Sequence, residues 1–101
     1  MSIQPHRQRL AELIEAVLAG KTSASAAFAE TQTWNDVPQN DWVYESAREI
    51  VTHYYFDEDI RERDSSYDKG YRQSLRRSVI RLRCPPSKGI LDWLGWRTAS
   101  K

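Results

Sequence analysis

The stretch RLAELIEAVLAG, residues 9–20, decides the fold. Leu10, Leu13, Ile14, Val17 and Leu18 recur at a three-one-three-one spacing, which puts five aliphatic side chains on one stripe of a helix. Arg9, Glu12, Glu15 and Ala16 fall mostly elsewhere on its circumference. Pro5 is tolerated in the first turn, where a missing N–H costs no helical hydrogen bond. Gly20 is placed to end the helix with a left-handed residue. A stripe of this kind must be covered, so the flanking segments have to supply partners for it.

Outward from this helix, KTSASAAFAETQTW begins with Thr22 or Ser23 as a cap for a short alanine-rich helix. Ala24, Ala27 and Phe28 share a face there, and the two alanines allow close approach to the first helix. The loop NDVPQN follows, with Pro38 excluding a regular helix interior. Asn40 or Asp41 then caps a third helix whose stripe is Val43, Ala47, Ile50, Val51 and Tyr54. Tyr44, Tyr55 and Phe56 lie off the centre of that stripe, so this helix is expected to touch two neighbours and to run on through Ile60. Ser65 or Ser66 caps a fourth helix lined by Tyr67, Tyr71, Leu75, Val79 and Leu82, and Pro85-Pro86 stops it. The tail SKGILDWLGWRTASK crowds Ile90, Leu91, Trp93, Leu94 and Trp96 together, in a length too short for a stable isolated helix. No period-two alternation or internal repeat occurs. The expectation is an all-α protein: a small antiparallel four-helix bundle over residues 1–84 and an aromatic-rich C-terminal tail over residues 85–101.

Composition limits the function classes. The chain has 101 residues and a net charge of +1, so one domain is expected and no global field drives it onto a polyanion. A single cysteine, Cys84, precludes an intrachain disulfide and fits a reducing, cytoplasmic setting. Glu12 and Glu15 interrupt the apolar centre of the N-terminal segment, which makes it a poor signal peptide, and there is no apolar run long enough for a membrane span. His6 and His53 have no ligand-spaced partners, and no glycine-rich phosphate loop occurs. No nucleophile, base and orienting group can be assembled, so no enzyme, cofactor or metal is expected.

Charge, by contrast, is sharply sorted. Residues 57–64, DEDIRERD, hold five acids and two arginines, whereas residues 69–83 hold six basic groups and no acid. The acids Asp57, Glu58, Asp59, Glu62 and Asp64 lack the spacing of a calcium loop. They would also sit badly against the helix dipole if the third helix ended there. Arg72, Arg76 and Arg83 lie near one flank of the fourth helix, with Arg77 and Arg81 forming a second row at i,i+4 spacing. Pairing with Glu45, Glu49, Glu58 or Glu62 on an adjacent helix fits the neutral chain better than nucleic-acid binding does. Of the four tryptophans, Trp34 and Trp42 are expected to close the ends of a thin core, while Trp93 and Trp96 are candidate anchors for the bundle or for a partner.

Two passages carry a family resemblance. LIEAVLAGKTSASAAFAETQTW resembles the start of bacterial colicin D-type immunity proteins, with its amphipathic helix, short turn at Gly20-Lys21, Phe28 and Trp34. YYFDEDIRERDSSYDKGYRQSLRRSVIRL is similar to the same group in its aromatic helix, acidic stretch, D-x-x-Y and basic helix. The resemblance covers about residues 10–82, and the Pro-Pro and tryptophan-rich tail departs from it. It implies a small helical bundle that binds and inhibits a cognate bacterial toxin, commonly a nuclease. A nuclease site is basic because its substrate is polyanionic, so clustered carboxylates can occupy it and speed association. The contact set expected under this reading is Asp57, Glu58, Asp59, Glu62 and Asp64, with Tyr54, Tyr55 and Tyr67 as aromatic neighbours. The alternative is a phage-derived or regulatory protein that binds nucleic acid or a host defence complex through Arg72, Arg76, Arg77, Arg81 and Arg83.

Overall fold

A computed structural model describes residues 4–37 and 40–84. These residues are helical, with no strand among them: α1 Pro5–Leu18, α2 Ala24–Gln32, α3 Trp42–Phe56, α4 Glu58–Arg63 and α5 Ser65–Arg83. The expected count of four becomes five, because the acidic segment is not an extension of the third helix. It forms a short helix of its own between α3 and α5. The tail with Trp93 and Trp96, and Pro38, lie outside the described residues.

Local chemistry explains most boundaries. Pro5 occupies the first turn of α1, and Gly20, at φ +76°, follows its C-cap in the left-handed conformation expected of it. The Ser23 hydroxyl accepts from Ala26 N–H and caps α2. Asp41, one of the two expected caps, receives Tyr44 N–H at the start of α3. The cap of α5 is Asp64 rather than a serine: its carboxylate accepts from the N–H groups of both Ser66 and Tyr67. A charged acceptor facing the positive end of a 19-residue helix is the better choice electrostatically. It also ends α4, since Asp64 adopts an extended conformation.

The core is built from Leu10, Ala11, Ile14 and Val17 of α1, Ala24 and Ala27 of α2, Val43, Tyr44, Ala47, Val51 and Tyr54 of α3, and Leu75 and Leu82 of α5. α1 and α3 both pack on α5, and α2 lies against α3 and α1. Four expectations change. Tyr44, placed off the centre of the stripe of α3, is buried in it, while Ile50 is only partly buried. Leu13 is only partly buried, because the stripe is centred on Leu10, Ile14 and Val17. On α5 the inward line is Leu75, Ser78 and Leu82, with Tyr67 exposed. Ser78 is tolerated inside because its hydroxyl donates to Ser74 O. Trp42 is 50% exposed and closes no core, whereas Trp34 is partly buried, with the Arg9 guanidinium 4.4 Å from its ring centroid.

Candidate functional site

The acidic segment lies where α3, α4 and α5 meet, and its residues divide into two sets. The first set builds the corner. α3 breaks at Asp57, and the Asp57 carboxylate accepts from the hydroxyls of Tyr67 at 3.0 Å and Tyr71 at 2.8 Å, so that it ties the end of α3 to the first turns of α5. Burial, followed by the hydrogen bond to Asp57, raises the Tyr71 hydroxyl well above the ordinary phenol range. Tyr71 therefore stays a protonated donor at any physiological pH. Asp64 caps α5. Arg61 turns inward, with only 9% of its side chain exposed. Its Nε–H donates to Tyr54 O at 2.8 Å, and its Nη1–H donates to Asp68 at 3.0 Å. Its guanidinium carbon lies 3.5 Å from the centroid of the Tyr54 ring. Tyr54 O is one of the carbonyls left without a helical partner at the end of α3, so Arg61 satisfies it with a positive charge at the negative end of the dipole.

The second set is what remains outside. α4 has no buried residue. The side chains of Glu58 and Asp59 are 52% and 75% exposed; each has an arginine nearby, at 4.0 Å and 3.6 Å respectively, in pairs too open to hold them strongly. Glu62 is exposed and makes no ion pair among the described residues. The five candidate acids thus separate into Asp57 and Asp64, which work inside the fold, and Glu58, Asp59 and Glu62, which face solvent. Starting a new helix at this point also removes the dipole mismatch, since Glu58 and Asp59 occupy the first turn of α4.

The candidate aromatics divide as well. Tyr54 is buried beneath Arg61 and Tyr71, whereas Tyr67 is exposed at 39% with its hydroxyl on Asp57. Tyr55 belongs to a different group, in mutual ring contact with Phe28 and Phe56.

The basic face is less uniform than its sequence. Arg72 Nη2 donates to Leu18 O at 2.7 Å, satisfying the end of α1 much as Arg61 satisfies the end of α3. Arg83 binds Glu15 through two parallel bonds of 2.6 and 2.7 Å. Glu15 was absent from the expected partners, which were Glu45, Glu49, Glu58 and Glu62; among the described residues, only Glu58 of these forms an ion pair with an arginine, Arg61 of its own helix. Arg76 and Arg77 are exposed, and Arg76 lines an open groove with Asp68, Lys69, Arg72 and Gln73. Arg81 is also exposed on the last turns of α5.

One cluster escaped the sequence reading altogether. His6 and Arg7, at the start of α1, converge on Asp41 at the start of α3. Asp41 accepts from His6 Nε2 at 2.6 Å, from Arg7 Nε at 2.7 Å and Nη2 at 2.8 Å, and from Tyr44 N–H at 3.2 Å. Burial by itself would raise this carboxyl, but the hydrogen bonds from Arg7, His6 and Tyr44 N–H outweigh it and hold the group at about 2. A histidine and an aspartate 35 positions apart carry no spacing signal that sequence reasoning could use. Among the described residues no group of His, Cys, Asp and Glu is placed to hold a metal ion, and no helix is long and apolar enough to cross a membrane.

Comparison with known proteins returned no matching family, no matching curated protein and no matching solved structure.

Proposed function

We propose that the protein is a non-enzymatic, cytoplasmic inhibitor of the immunity type, a small helical bundle that binds a basic protein partner through the exposed acids of α4. The carrying observation is the division within residues 57–64. Asp57, Arg61 and Asp64 fasten the segment to α3 and α5, and Glu58, Asp59 and Glu62 are left facing solvent on a helix whose only inward-turned side chain is Arg61. A carboxylate surface held rigidly in this way loses little conformational freedom on binding. It also attracts a cationic cleft over a distance of about one Debye length, roughly 8–10 Å at physiological salt. The resemblance to colicin D-type immunity proteins over residues 10–82 supports a toxin, commonly a nuclease, as the partner class. The reading by which α5 meets nucleic acid or a defence complex is left with fewer cations, since Arg72 and Arg83 are engaged within the fold.

The test is capture from a bacterial lysate with the full chain, with E58K/D59K/E62K and with R76E/R77E/R81E. The expected result is a basic protein retained by the wild type and by the arginine variant but lost by the acidic variant, whose own activity falls on adding an equimolar amount of the wild-type chain. Loss of that protein by the arginine variant, with normal retention by the acidic one, would transfer the working face to α5.

A further inference from the structure

The aromatic residues around the α3–α4 corner form two groups with different roles. Tyr54, Tyr67 and Tyr71 are linked ring to ring, and the hydroxyls of Tyr67 and Tyr71 end on Asp57. Phe28 of α2 with Tyr55 and Phe56 of α3 make a second group, with centroids 5.1 to 5.2 Å apart in all three pairs. Phe28 and Tyr55 are stacked at 22° and partly buried, and Phe56 stands edge-on to Phe28 and is 61% exposed. The Tyr55 hydroxyl has no hydrogen-bond partner among the described residues. The chain then passes from Phe56 through Asp57 directly into Glu58 and Asp59, so two exposed carboxylates follow the exposed ring within three positions of the chain.

We infer that the Phe28–Tyr55–Phe56 rings form an arginine-selective docking platform, on which a basic protein partner lays guanidinium side chains while the acids of α4 hold their charge. This rests on the reading of α4 as the face offered to a basic partner, and adds which cation the face prefers. The physical argument is charge complementarity combined with shape. A ring face attracts a cation, and a planar guanidinium stacks on it in a way that a compact, strongly hydrated ammonium does not. Carboxylates close to the ring in the chain accept the guanidinium N–H groups. The protein already makes this contact twice within its own fold, with Arg61 at 3.5 Å from the Tyr54 centroid and Arg9 at 4.4 Å from that of Trp34. The three rings hold one another in place, so little rotamer freedom is lost when a partner arrives.

The experiment is a ¹H–¹⁵N NMR titration of the full chain with two short peptides of equal charge, one alternating arginine with serine and the other lysine with serine. The arginine peptide is expected to bind several-fold more tightly, with the largest shifts at Phe28, Tyr55, Phe56 and Glu58. F56A and F56L should both abolish the arginine preference, the leucine variant showing that the ring face rather than apolar bulk is responsible. E58Q/D59N/E62Q should weaken both peptides together. Equal binding of the two peptides, unchanged by F56A, while the acidic variant still weakens both, overturns the platform and leaves the acidic reading standing. Binding unaffected by E58Q/D59N/E62Q overturns the acidic reading itself. Absence of shifts at the rings and at α4 overturns both. Concentration-dependent shifts at Phe56 in the free protein would assign the platform to a second copy, and movement of the resonances of residues 90–96 on F56A would assign it to the tail; either result also overturns the proposal.

Discussion

The junction of α1 with α3 and the corner of α3 with α5 are both organised around an aspartate, and they use it differently. At the junction, Asp41 has only 8% of its side chain exposed, and His6, Arg7 and Tyr44 N–H converge on it. All the charge there is consumed inside the fold. At the corner, Asp57 and Arg61 do comparable structural work, but they are interspersed in sequence with Glu58, Asp59 and Glu62, which face solvent. The contrast shows how one short helix can be fastened and offered at once: one side of each turn holds on, and the other is available. Identical residue types a few positions apart serve opposite ends, and only their partners distinguish them.

The largest expected effect lies at Asp41. D41A removes the cap of α3 and leaves Arg7 buried without its counter-charge, which should cost roughly 3–5 kcal/mol in urea unfolding. A loss below about 1 kcal/mol would mean that the junction is solvated rather than sealed. At the corner, R61A removes a hydrogen bond to Tyr54 O, an ion pair and a ring contact together, and should cost about 2–3 kcal/mol. R61K should recover little of this, because an ammonium cannot span Tyr54 O and Asp68 while covering the ring.

Acid offers a gentler break of the junction. The Asp41 carboxyl lies at about 2 in the folded protein against an ordinary 3.8, so its contribution is fully present above about 4 and is lost as pH falls towards 2. The stability difference between wild type and D41N should therefore shrink across that window. A difference that remains flat from neutral pH down to about 2 would show that the Asp41 interactions do not depend on its charge. The smallest stability effect belongs to the offered face. E58K, D59K and E62K should each shift stability by about half a kcal/mol or less, while the triple change slows association with a basic partner and removes much of its salt dependence. A drop of more than about 2 kcal/mol in the triple variant would place those acids in the supporting set with Asp57.

The amino-acid sequence by itself determined the helical class, most of the stripe of α1, the left-handed Gly20 and Val43, Ala47, Val51 and Tyr54 on the buried face of α3, and it narrowed the caps of α2 and α3 to two neighbouring residues each. These follow from interactions within a few residues, where spacing and backbone preference are decisive. Sequence also marked residues 57–64 as unusual, because charge density is visible without coordinates. Only the tertiary structure decided that α3 breaks at Asp57, that Asp64 rather than Ser65 caps α5, and that Arg61 and Arg72 close the ends of α3 and α1. It likewise decided that His6 meets Asp41 and that Arg83 meets Glu15, contacts spanning 35 and 68 positions. For the arginine and histidine contacts the physical reason is common. A long charged side chain reaches whichever unsatisfied carbonyl or opposite charge the packing of helices brings near, and that packing is set by apolar faces far away in the chain.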